Sequence, residues 1–154
     1  MGKTKNPPQG YHSITPYLIV KGASAAIDFY KQAFGATEIV RMPMPDGRLG
    51  HAELRIGDSV VMLADEFPEA EAISPNTLGG TTVGLMIYVE DADAMFNQAV
   101  SLGAKVTKPM ADQFYGDRNG TLQDAWGHKW TIATHVEDVA PDEMERRLAA
   151  MAKK

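Results

Sequence analysis

A chain of 154 residues is long enough for one domain with a real core, or for two small halves sharing one. It is 44% hydrophobic and 23% charged, with a net charge of −5 and no basic run longer than two residues, so a phosphate-neutralising nucleic-acid surface is not expected. The chain has no cysteine, which removes disulfides, thiol catalysis and thiolate metal sites. No apolar run approaches the roughly 18 residues that a membrane span needs. These features predict a cytoplasmic protein that engages neither nucleic acid nor membrane.

The opening MGKTKNPPQG lacks an apolar signal-peptide core and reads as a flexible segment over residues 1–12. Ser13 to Val20 predicts a strand, with Pro16 marking an edge or a bulge. Ser24 to Phe34 predicts a helix, because Ala26, Ile27, Tyr30, Ala33 and Phe34 recur at helical spacing. Ser24 is placed to cap its start and Gly35 to close it. Strands are predicted over Thr37–Met44, Gly50–Ile56 and Ser59–Ala64, with turns at Asp46-Gly47 and Gly57-Asp58. Asp65 to Gly80 is polar and carries Pro68, Pro75 and two glycines; it reads as a connector and a candidate lid or rim.

The pattern then starts again. Gly84 to Val89 predicts a strand. Asp91 caps a helix that runs to Leu102, with Ala92, Met95, Phe96, Ala99 and Leu102 on one face, and Gly103 closes it. Lys105 to Lys108 starts a strand. Gln113 to His135 reads as three extended runs joined by tight turns at Asn119-Gly120 and Gly127. Pro141-Asp142-Glu143 opens a terminal helix over 140–154, with Met144, Leu148 and Met151 at helical spacing, packed on the domain or on a second subunit. A β-α-β-β-β unit is therefore used twice, over about 13–66 and 82–135, with a period close to 69 residues.

Two stretches carry a resemblance to a known family: ITPYLIVKGASAAIDFYKQAFGA and GDRNGTLQDAWGHKWTIATHVED. They resemble the vicinal oxygen chelate superfamily of glyoxalase I, bleomycin-resistance proteins and extradiol dioxygenases. The second stretch looks most like the PhnB-like branch, with its G-D-R-x-G-x-x-x-D-x-x-G-H-x-W segment. The resemblance spans about residues 13–139. It implies an α+β fold in which tandem βαβββ modules form curved mixed sheets with a cleft, paired within one chain or shared across a homodimer.

The resemblance also implies where a metal would sit, on the first and last strand of each module. Strand register carries those positions onto Thr15, Gly84, Met62 and Thr131. A glycine offers no donor, a thioether is soft and a neutral hydroxyl is weak. The expectation is therefore no catalytic metal and no other cofactor; a divalent metal would need ligands outside these positions.

Strand alternation puts Met62 and Thr131 on the same side as Tyr17, Met86 and Tyr88. A lining of Tyr, Met and small residues suits a flat or apolar small molecule. His51 and Glu53, two apart on one strand, share a face and form a candidate acid–base pair or a polar pair at the sheet surface. Tyr115, Asp117 and Arg118 are candidates for fixing a ligand carboxylate or phosphate. Trp126 is either a stacking group or a packing anchor. His128 reads first as a structural hydrogen bonder, and His12 and His135 weigh less as site residues. The leading expectation is a glyoxalase/bleomycin-resistance-like protein that binds a small, partly aromatic or apolar molecule. The rivals are a metal-dependent lyase or dioxygenase using His51, Glu53 and His128, and a scaffold with a filled cleft.

Overall fold

The structure is a computed structural model, and it describes residues 2–153. The two ends of the expected lead-in and terminal helix, Met1 and Lys154, lie outside the described residues. The chain divides between Thr81 and Thr82 into two units.

Unit 1 contains β1 (Tyr17–Val20), α1 (Ala23–Phe34), β2 (Thr37–Pro43), β3 (Leu49–Ile56) and β4 (Ser59–Asp65), in sheet order β1-β4-β3-β2. β1 runs parallel to β4, and the other pairs are antiparallel. Leu18, Val20, Ala52, Leu54, Val61 and Leu63 alternate onto one face and are buried, as are Ile27, Tyr30 and Phe34 of α1. Helix and sheet thereby seal one core.

Unit 2 repeats the order with β5 (Gly84–Tyr88), α3 (Ala92–Ser101), β6 (Lys105–Asp112), β7 (Asp117–Gln123) and β8 (Lys129–His135), in sheet order β5-β8-β7-β6. Its core holds Phe96, Leu122, Trp130 and Ile132. Helix α4 (Pro141–Met151) follows and is held by Arg147, which donates to the carbonyl of Phe114 at 3.1 Å and to Glu137 at 2.7 Å. The registers match across the repeat: Tyr17 lies opposite Met62, and Met86 opposite Thr131.

Several elements differ from the sequence reading. Asn119 and Gly120 do not make a turn. They lie inside β7, paired with Ala133 and Ile132 of β8. The β6–β7 turn falls at Gln113–Gly116 instead, closed by the Gly116 amide donating to the Gln113 carbonyl at 3.1 Å. Gly116 has φ of +100°, and a Cβ there would meet the Glu137 carbonyl oxygen at 2.1 Å. Gly120 is required for packing rather than for chain reversal: a Cβ would lie 2.7 Å from Phe96 Cε2 and 2.9 Å from Met110 Sδ.

The start of α1 also differs. The residue before it is Gly22, and Ser24 does not cap. Asp65, at the end of β4, accepts from the Gly22 and Ala23 amides at 2.9 and 2.8 Å. The 65–80 connector has structure of its own, a 3-10 turn at Pro68–Ala70 and the one-turn helix α2 (Pro75–Leu78). Glu66 organises it by accepting from the Ser74 amide, the Ser74 hydroxyl and the Thr77 hydroxyl. The N-terminal segment docks at its last residues: Gly10 offers its carbonyl to Arg55 at 3.3 Å, and Tyr11 donates to Glu53.

Candidate functional site

The candidate site of unit 1 is the sheet face opposite α1. Alternation along β3 sends Ala52, Leu54 and Ile56 into the core and turns His51 and Glu53 the other way. The β3–β4 register puts Glu53 beside Met62, the β1–β4 register puts Tyr17 on the far side of Met62, and the β2–β3 register adds Met42 beside His51. Tyr17 and Met42 are 48% and 53% exposed, large apolar side chains left half in water on a face that also carries a charge.

The polar groups on this face form a chain. The Tyr17 phenol is 2.8 Å from His51 Nδ1, His51 Nε2 is 2.9 Å from one Glu53 oxygen, and the Tyr11 phenol donates to the other. Burial alone pushes the Glu53 carboxyl up, but hydrogen bonds from His51 and Tyr11 outweigh it, and the group titrates below the usual carboxylate range. Desolvation and the nearby Glu53 charge raise the Tyr17 phenol. Tyr17 is therefore a neutral hydroxyl at neutral pH, and Glu53 a carboxylate.

In unit 2 the corresponding face carries Met86, Tyr88, Thr131 and Asp117. Tyr88 donates to Asp117 at 2.8 Å, and Asp117 also meets His135 Nδ1 at 2.8 Å, while His135 Nε2 meets Asp138 at 2.8 Å. The carboxylates of Asp117 and then Asp138 raise His135 above its ordinary value. Thr131 shares a 2.9 Å hydrogen bond with Thr121. Tyr115 is at the β6–β7 turn, its phenol accepting from the Asn119 amide at 2.9 Å.

Three sequence candidates are placed by structural bonds. Arg118 lies opposite Thr134 on the helix side of β7, and its guanidinium forks onto Asp93 at 2.7 and 2.8 Å and reaches Asp112 at 3.1 Å. It fastens α3 and β6 to β7 rather than joining the face of Met86 and Thr131. Trp126 and His128 both donate backbone amides to Asp124, at 3.0 and 2.9 Å. Asp124 also accepts the Trp130 indole N–H at 2.8 Å. The D-x-x-G-H-x-W segment is thus a turn built around one buried carboxylate.

The residues that sequence reasoning missed are Tyr11, Met42, Asp124 and the pairing of Asp117 with His135. Asp117 and His135 are direct β7–β8 partners, and that register is hidden if a turn is placed at Asn119-Gly120. Tyr11 comes from a segment with no periodicity. Asp124 carried a signal, because an Asp ahead of an amide-rich turn accepts from it locally.

The sequence profile of the Glyoxalase/Bleomycin resistance protein/Dioxygenase superfamily matches residues 10–132. The chain belongs to that superfamily. It is 41% identical over 141 residues to an uncharacterised protein of Mycobacterium tuberculosis, covering 90% of this chain and 83% of that one. Among solved structures it is similar to TioX from Micromonospora sp. ML1, with a TM-score of 0.64 and 26% identity over 80% of this chain and 98% of that one. A PhnB protein from Bacillus cereus shares the fold, with a TM-score of 0.62 and 18% identity over 80% and 99% of the two chains.

The metal enzymes of the superfamily place ligands on the first and last strands of each module, and the residues at those positions here do not fit a divalent metal. The Thr15 hydroxyl is bonded to the His12 carbonyl, Gly84 has no donor, Met62 offers a thioether and the Thr131 hydroxyl is bonded to Thr121. Hard divalent cations take charged or carbonyl oxygens, and zinc, nickel and iron take imidazole as well. Among the described residues, no group of three His, Asp or Glu side chains is arranged to hold a metal ion instead.

Proposed function

We propose that this chain is a glyoxalase/bleomycin-resistance-like binding protein that takes a small, partly aromatic or apolar molecule without a catalytic metal. The observation that carries this reading is the unit 1 face itself. Half-exposed Tyr17 lies beside Met62 and half-exposed Met42 beside His51, on either side of the His51–Glu53 pair. Apolar area left in water next to a fixed polar pair is the composition of a ligand site: area supplies affinity, at about 25 cal/mol per Å² before ordering costs, and the polar groups supply orientation. Tyr88 and Met86 offer the same mixture in unit 2.

The test is calorimetric titration of the full chain with a panel of planar aromatic compounds, beside the Met62→Asp variant. Saturable binding that is lost in Met62→Asp supports the reading. No heat and no rise in melting temperature with any compound would overturn it. Elemental analysis of protein purified without chelator addresses the metal: one equivalent of a divalent ion, lost on His51→Ala, would replace this reading with a metal-dependent lyase or dioxygenase.

A further inference from the structure

The hydrogen-bond chain on β3 fixes the polarity of the group that meets the ligand. Glu53 has its two oxygens met by two donors, the Tyr11 phenol and His51 Nε2. A carboxylate only accepts, so His51 carries its proton on Nε2. In the neutral ring Nδ1 is then a lone pair, and the proton that fills the 2.8 Å contact is that of the Tyr17 phenol. Tyr17 therefore spends its hydrogen inward. The residue is 48% exposed, and its oxygen, having donated its hydrogen, keeps lone pairs with which to accept. Hydrogen bonds in series polarise one another, so the Glu53 charge makes that oxygen a better acceptor.

Building on the binding function proposed above, we propose that Tyr17 is the acceptor for an aromatic hydroxyl, so that the ligand is a phenol-type molecule whose ring packs on Met62 and Met42. The tautomer excludes the alternatives by charge and by donor count. An ether oxygen meets a lone pair instead of a proton. A carboxylate meets a lone pair and the field of Glu53. Arg55, whose charge acts on the Tyr11 phenol, is turned to the Gly10 carbonyl at 3.3 Å.

Three naphthalenes of one shape test the assignment by titration calorimetry on the full chain: 2-naphthol, 2-methoxynaphthalene and 2-naphthoate. The wild type is expected to bind 2-naphthol about five- to tenfold more tightly than the methoxy compound, the ratio for one hydrogen bond of ordinary net worth, and to bind 2-naphthoate least. His51→Phe removes the lone pair that holds the Tyr17 proton. The hydroxyl becomes free to donate, and the preference for naphthol over its ether should fall to about twofold or less. Tyr17→Phe should level the two while keeping the ring contact. Equal binding of naphthol and its ether by the wild type overturns the assignment and leaves the binding reading standing. So does an unchanged preference in His51→Phe. Failure of all three probes together with the wider aromatic panel sinks the binding reading itself.

Discussion

Asp65 and Thr134 hold equivalent places near the ends of β4 and β8, and each caps the helix of its own unit. Asp65 accepts from the Gly22 and Ala23 amides, and Thr134 accepts from the Ala92 amide at 2.9 Å while donating to the Val89 carbonyl at 2.8 Å. The last strand thus satisfies the orphan amides of a helix that lies far from it in sequence. The other Asp65 oxygen accepts from the Leu49 amide at 2.7 Å, so three backbone donors depend on one carboxylate. Asp65→Ala should cost about 2 kcal/mol and Thr134→Ala about 1 kcal/mol. Urea denaturation midpoints measure both; equal costs would mean that the Leu49 contact adds nothing.

Gly120→Ala should destabilise the chain by roughly 1–3 kcal/mol, because the added methyl meets the Phe96 ring, the Met110 sulfur and the Met110 amide nitrogen. A double variant with Phe96→Leu should recover part of the loss. If Gly120 acted only through backbone freedom, the second change would not help, and thermal melts of the two variants separate the cases.

Asp124→Ala leaves the buried Trp130 indole N–H without its acceptor and releases two turn amides. The expected loss is about 2–3 kcal/mol, the cost of stranding buried donors. Tryptophan fluorescence, from Trp126 and Trp130 of this one turn, reports the same change locally through a shift of the emission maximum. An unshifted emission with unchanged stability would show that the turn closes without the carboxylate.

The connector should loosen in acid. Hydrogen bonds from the Ser74 hydroxyl, the Thr77 hydroxyl and the Ser74 amide hold the Glu66 carboxyl at about 2, against an ordinary value of 4.5. A depressed carboxyl stabilises the fold while ionised. That contribution is present above the unfolded value and is lost as pH falls toward about 2. Glu66→Gln should therefore be less stable than the wild type at neutral pH and converge with it in acid, read from denaturant midpoints across the range.

His135 works with the opposite sign. Asp117 and Asp138 raise it, so its contribution is present below the unfolded histidine value and fades as pH rises through the folded one. The His135 ring is 51% exposed and Asp138 fully so, which leaves the pair open to screening by salt. Proton NMR titration should place His135 above free histidine. Asp117→Asn should lower it more than Asp138→Asn, and added salt should shrink the shift.

The fold was legible because its signals are local. Helical spacing in 24–34, the Asp91 cap and the glycines at 35, 47 and 127 all act within a few residues, and the structure has α1, α3 and the turns where they predict. The misreading at Asn119-Gly120 shows the limit. A dipeptide suited to a turn is equally suited to a strand that must let an aromatic ring approach its backbone, and only the packing of Phe96 decides. Ser24 failed for a related reason: the cap came from Asp65, which no local rule connects to α1. On the face of unit 1, period-two alternation put Tyr17 with Met62 and, separately, His51 with Glu53; the pairing between strands that joins the two sets is not written in either strand. Alternation could not show Tyr11, which joins them from outside any strand, nor that Arg118 belongs to the opposite side of its own sheet.

Strand β3 assigns its odd and even positions to different tasks. Ala52, Leu54 and Ile56 maintain the body, while His51 and Glu53 make the opposite face. Side chains on that face can therefore change without eroding the core. A combinatorial library confined to residues 17, 42, 51, 53 and 62 would retain most of its members as folded proteins, and the same library shifted by one residue along each strand would retain few.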